Sequence, residues 1–347
     1  MALTFGASQR GLICGYRFEP GQGGQAVTLD EALDWLRGPA SAPQQPVKAA
    51  AHAAADASAA GFMWLHFDLT DTSAQPWMQA HLALPEEFFE ALRQGSRSTR
   101  IEDAQDNLIA VVNDVAYEFS FDPSDMASLW MCVSERVAVS ARVHPLRSVD
   151  KLRLAVRDGV RFGSSVDVLN HLMNGQGDVL VRIVRETTLK VDGIEDSLLH
   201  GKLKYQRSEL GQLRRLLVRL QRLLAPEPAA LFRLLRQPPP WIRAQDLDEL
   251  RQATEEFSLV IRDLSALQER IKLLQEEIAA QVSEQTNRTL FTLTMVTVLA
   301  LPINIATGMF GMNVGGIPLA DHPHGFLIVL FLVGVFTAVA AWWTFRR

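Results

Sequence analysis

Thr294, Thr297, Asn304 and Thr307 are polar residues set into a stretch, Thr289 to Phe310, that contains no charged side chain. Their separations of three, seven and three put them near one face of a helix. A lipid-facing position gains nothing from a hydroxyl, and a carboxamide such as Asn304 is costly against acyl chains. Two chemistries answer this pattern. The groups hydrogen-bond to neighbouring helices, as Ser, Thr and Asn do in membrane bundles, or they form the wall of a pore.

The elements that hold these residues follow from length and charge. Thr289 to Phe310 and a second apolar stretch, Gly325 to Phe345, are each long enough as helices to cross a hydrocarbon core of about 30 Å. The tripeptide Gly311-Met312-Asn313 sits where the first stretch ends, and the pair forms a hairpin. Arg288 precedes the first span and Arg346 and Arg347 follow the second, while the connecting loop has neither Lys nor Arg. Both termini are therefore expected on the cytoplasmic side. The chain start lacks a basic region and a sustained apolar core, so no cleavable signal peptide is expected. Two helices cannot enclose a pore alone, so a conducting wall requires several identical subunits around an axis, first span inside and second outside. Pro302 and Gly308 fit an inner helix in a crowded ring.

The remainder reads as a water-facing body. Mean hydropathy is only +0.06 despite the two spans. Net charge is −5, too mild to argue for nucleic acid. Cys14 and Cys132 are far apart in sequence and read as buried, reduced thiols. The first 165 or so residues show β-type runs at Leu12 to Phe18, Phe62 to Leu69, Leu108 to Tyr117, Ser128 to Val133 and Arg136 to Val143. Helical stretches such as Leu29 to Leu36 and Glu86 to Leu92 alternate with them, which predicts a sheet covered by helices. Residues 39–60, rich in Ala, Pro and Ser, read as a loop or insertion.

From about Ser165 the pattern turns helical. One segment runs to Leu224 and is stopped by Ala225-Pro226-Glu227-Pro228, a short helix reaches Arg236, and Pro238-Pro239-Pro240 breaks the chain. From Trp241 to Leu301 there is no Gly and no Pro, which leaves room for one helix of roughly 90 Å. Its seam of Leu250, Phe257, Ile261, Leu264, Ile271, Ile278 and Val282 needs a partner. The preceding helix with Leu213, Leu216, Leu220 and Leu223, or copies of the stalk itself, would supply one. Arg214, Arg215, Arg219 and Arg222 read as a solvated face; lipid headgroups or the stalk acids Glu255, Glu256 and Asp263 are the other partners open to them.

A C-terminal helix pair, Gly-Met-Asn at the exit of the first, a long helix feeding into it, an N-terminal α/β domain and a basic tail together resemble the CorA family of divalent-cation transporters. The continuation Val314-Gly315-Gly316-Ile317-Pro318 and the segment Val143 to Val149 most resemble its zinc-transporting ZntB branch. The resemblance covers essentially the whole chain and implies a funnel-shaped homopentamer of α+β cytoplasmic domains, with stalk helices and two C-terminal transmembrane helices in the inner membrane. The expected organisation is a cytoplasmic α/β domain over 1–165, a helical segment over 166–240, a stalk helix over 241–288, spans over 289–310 and 325–345, a periplasmic loop over 311–324 and a basic tail at 346–347. Carried onto this sequence, Gly311, Met312 and Asn313 form the mouth, and Leu290, Thr294, Thr297, Leu301 and Asn304 line the conduit. Glu276 forms an acidic ring in the funnel. Amide oxygens suit such an entrance, because they hydrogen-bond a cation's hydration shell without stripping it, and inward leucines would gate by dewetting.

Asp321, His322 and His324 in the outer loop could gather a metal such as zinc, or be solvated loop residues. The magnesium members tend to carry acid-rich helices where this chain has its basic run, which argues against cytoplasmic magnesium sensing. Nothing reads as an enzyme or a resident cofactor site. His66 and Asp68 share a strand face without a nucleophile motif, and Gly21-Gln22-Gly23-Gly24 lacks the Lys-Ser/Thr of a phosphate loop. The expected substrate is Zn²⁺, with Mg²⁺, Co²⁺ or Ni²⁺ as alternatives on the same architecture. A membrane-anchored scaffold is the reading from another class.

Overall fold

The computed structural model describes residues 10–38, 61–95, 99–117, 119, 126–200, 206–312, 319 and 322–345. They fall into two compact units, Met1–Leu273 and Leu274–Arg347.

The first unit is built on a seven-stranded sheet of order β2-β1-β3-β7-β6-β5-β4. The strands are β1 (Leu12–Phe18), β2 (Gln25–Ala26), β3 (Phe62–Asp68), β4 (Arg100–Ala104), β5 (Asn107–Val115), β6 (Met126–Val133) and β7 (Val137–Arg142). Neighbours are antiparallel except β3 and β7, which run parallel. Helices α1 (Leu29–Arg37), α2 (Ala74–His81) and α3 (Glu86–Gln94) cover one face, and α4 (Arg147–Arg157), α5 (Ser165–Leu199) and α7 (Pro226–Arg236) cover the other. Successive side chains of β3 alternate between them: Met63, Leu65 and Phe67 join the first layer, Phe62 and Trp64 the second. Coverage of both faces explains why the central strands are near-continuous apolar runs.

Local chemistry sets the element ends. Thr28 and Glu31 form a reciprocal capping box on α1. Ser164 caps α5 by accepting from the Asp167 amide. Helix α4 has no cap of its own; Asp114 on β5 takes the role, accepting from the Ser148 amide and hydroxyl at 3.1 and 2.5 Å. The Gly21 to Gly24 segment is a turn, with Gln22 N–H donating to the Glu19 carbonyl.

Helix α4 falls within the expected mixed α/β stretch, and the helical part after it departs from expectation in two ways. The segment expected to run unbroken to Leu224 contains two helices, α5 and α6 (Gln206–Leu224). Pro226 opens α7 instead of only ending its predecessor, because the first helical position needs no N–H. Helix α8 (Ala244–Phe310) follows, and α9 spans Gly325–Phe345.

Along α8, Leu250, Phe257, Leu264, Ile271 and Ile278 are buried, whereas Val282 is 43% exposed and so lies outside the covered seam. The partner is double. Helix α6 buries three of the expected leucines, Leu213, Leu216 and Leu220, with Leu223 half-buried, and makes a Gln221–Ser265 hydrogen bond of 2.8 Å. Helix α5, not foreseen as a partner, runs alongside: Asn170 donates to the Asp246 carbonyl, and Arg270 bridges Asp192 and Glu195.

Candidate functional site

The second unit contains the polar face and its surroundings. Helix α8 includes an 18-residue window of mean hydropathy 1.8 that is nowhere buried inside the chain, and α9 is apolar over Gly325–Val339. Helix α8 continues through Pro302. The hydroxyls of Thr297 and Thr307 turn back onto the carbonyls four residues earlier, at 2.9 Å each.

The side of α8 that meets α9 is defined by an apolar hollow of about 540 Å³ lined by Ile303, Ala306, Thr307 and Phe310 from α8 and by Phe326, Val329, Leu330 and Val333 from α9. The partly covered residues earlier on α8, Met295, Leu299 and Pro302, continue that side at helical spacing. At about 100° per residue, Leu290, Thr294, Thr297, Leu301 and Asn304 fall within roughly 80° of one another on the opposite side of the helix. All five are exposed, Leu290 at 54% and Leu301 at 57%. Thr307 belongs to the α9 side and leaves the polar stripe. The Asn304 carboxamide has no hydrogen-bond partner among the described residues, so the stripe does not serve to hold α9.

Glu276 repeats the same helical face further down α8 and is exposed. Gly311 closes the helix, its N–H donating to the Thr307 carbonyl at 2.9 Å, and Met312 is exposed beyond it. Asn313 and Asp321 lie outside the described residues. His322 and His324 are exposed, and the His324 amide donates to His322 Nδ1 at 3.1 Å. That bond occupies one imidazole nitrogen, and no group of three metal-ligating side chains forms among the described residues. The turn is tight: a Cβ at Gly325 would stand 2.2 Å from the Leu319 carbonyl, so only glycine starts α9 here.

His66 and Asp68 do not meet. Arg142 Nε donates to His66 Nε2, which leaves the proton on Nδ1 to donate to Ser140 Oγ at 2.8 Å. Burial, then the Arg142 charge, hold this imidazole neutral and well below its usual pKa. Asp68 instead accepts from the amide and hydroxyl of Thr70. Burial pushes the thiols of Cys14 and Cys132 up to about 12, so neither is a nucleophile at neutral pH.

The chain's relatives share this layout. Over 343 residues it is 28% identical to the divalent cation transporter CmaX of Pseudomonas aeruginosa, covering 98% of this chain and 96% of that one. It is 24% identical to the zinc transport protein ZntB of Pectobacterium atrosepticum, over 82% of this chain and 86% of the relative. The solved structure of full-length CmaX superposes with a TM-score of 0.78 at 27% identity, covering 99% of both chains. The family model described as CorA-like Mg²⁺ transporter protein matches residues 59–347. With most of its length matched and an uncovered oxygen-bearing stripe on its long helix, the chain belongs to the CorA family of divalent-cation transporters.

Proposed function

We propose that this protein conducts Zn²⁺ across the inner membrane through a homopentameric pore lined by α8, with both termini cytoplasmic. The observation that carries the reading is the orientation of the stripe: Thr294, Thr297 and Asn304 lie on the side of α8 away from α9, and beyond the bond of the Thr297 hydroxyl to its own helix they have no side-chain hydrogen bond among the described residues. A carboxamide left in hydrocarbon costs a few kcal/mol, so further copies must supply a wet surrounding for it.

On this reading a hydrated cation is drawn to a ring of Asn313 side chains at the mouth, passes the Asn304 and Thr oxygens, and meets constrictions of Leu301 and Leu290. Those leucines gate by excluding water. Glu276 attracts the cation at the cytoplasmic end, and Asp321, His322 and His324 gather metal at the outer one. The stripe offers no carboxylate or imidazole, which favours passive conduction; the stalk acids and loop histidines are the groups through which protons would couple. The work is transport and not catalysis.

Zinc is preferred because a ZntB zinc transport protein is among the relatives that match over most of this chain. A magnesium, cobalt or nickel channel is the second reading, favoured by the family's own description. Radioactive zinc uptake into vesicles containing the purified protein, with each metal in competition, separates them. Zinc and not magnesium should compete at equimolar concentration; the reverse order would make magnesium the substrate. Asn313→Ala and Asn304→Leu should each cut the flux by about tenfold or more. Unchanged flux in both would remove the stripe and mouth from the pathway, and a wild type with no flux above protein-free vesicles would leave the scaffold reading.

A further inference from the structure

Three of the four arginines in the basic run on α6 form no ion pair among the described residues. Arg215, Arg219 and Arg222 are exposed on the outer face of α6, opposite the buried leucines, and surround Val218, itself 46% exposed. No ion pair joins them to another described residue; Arg214, beside them, is engaged elsewhere. From Gly211 to Pro226 the sequence contains no acid at all, so this face is of one sign.

Helix α8 presents the complementary arrangement. Glu255, Glu256 and Asp263 are exposed on its open side around Leu259, which is 53% exposed. None of these acids forms an ion pair among the described residues. Arg262 is the one cation within the patch, and Arg251 before it is drawn to Asp248 at 3.7 Å. An exposed aliphatic side chain thus occurs twice on one subunit, once among arginines and once among three carboxylates with a single arginine.

We infer that the cationic face of α6 in one copy docks on the acidic stripe of α8 in the next. The inference rests on the oligomeric reading above and names its contact. Complementary potentials favour this pairing and penalise like-with-like contact. Because the two surfaces differ, the contact is heterologous, and repeated contacts of that kind close a ring when the rotation allows. Val218 and Leu259 supply the apolar centre and the arginines and carboxylates its rim.

The test is a charge swap in the full-length protein in detergent, with particle mass followed on dilution at low ionic strength. A variant with Arg215, Arg219 and Arg222 each changed to Glu should dissociate at a protein concentration about tenfold higher than wild type, as three exposed pairs allow. The variant with Glu255, Glu256 and Asp263 each changed to Arg should behave alike. Combining all six substitutions should restore wild-type assembly, which misfolding would not do. Intact assembly in both triple variants would overturn the contact while leaving the ring reading untouched. A monomeric wild type would overturn both. If the α6 variant assembled normally but no longer bound phosphatidylserine vesicles, the face would be a lipid contact and the inference wrong.

Discussion

Glu227, in the first turn of α7, is wholly buried; one carboxyl oxygen accepts from Gln176 Nε2 at 3.1 Å and the other has no partner. Burial, then the nearby Asp114 carboxylate, raise its pKa well above the ordinary carboxylic range. It is therefore held protonated. A group with a raised folded pKa stabilises fully below its unfolded value, and that stability drains away as pH rises toward the folded one. His66 has the opposite sign, its contribution being complete above about 6.5. As pH rises from the ordinary carboxylic range toward the folded pKa of Glu227, this one group should lower the stability of the wild type by up to about 1.4 kcal/mol per pH unit, and the melting temperature with it. Glu227→Gln should flatten the slope, as thermal unfolding across that window would show; an unchanged slope would place the titration elsewhere. None of this was legible in the sequence, where Ala225-Pro226-Glu227-Pro228 reads only as the end of a helix. The polar residues of the apolar part of α8, by contrast, stand out in the sequence without any knowledge of packing, although the packing moves Thr307 to the α9 side.

Elements became legible in proportion to how strongly their burial marked the sequence. The strands β1, β3, β5, β6 and β7 lie in the sheet interior and carry apolar runs, so their bounds come within a few residues of expectation. The edge strands β2 and β4 were missed: one is two residues long, and Arg100–Ala104 carries charges that suit an exposed edge but hide the alternation. The turn joining β4 to β5 uses Gln105 and Asp106 at φ of 51° and 63° without a glycine, which removed the usual hairpin signal. On α8 the threes and fours of the seam identified the buried side, but not that α5 would share it with α6. Ile271, fully buried in that seam, should cost about 2–5 kcal/mol when replaced by Ala. Lys272→Ala, next to it and partly exposed, should stay within about 0.5 kcal/mol. Urea denaturation of the two variants checks the contrast, and equal losses would mean the seam is not what holds the stalk.

For the whole molecule, what one chain leaves uncovered says most about its working state. The amide-bearing side of α8 is turned from α9, the open side of the stalk is acidic, and the outer face of α6 is basic. Asn313 of the proposed mouth and Asp321 of the outer loop lie outside the described residues. The most direct measurement places a cysteine at Asn304 in a protein whose Cys14 and Cys132 are serine, then treats zinc-transporting vesicles with a charged, membrane-impermeant thiosulfonate. The account predicts that Asn304→Cys becomes blocked, while Met295→Cys on the α9 side does not. Full zinc flux after treatment, with the thiol at 304 unreacted, would mean that this side of the helix faces acyl chains and that no water-filled path runs along it.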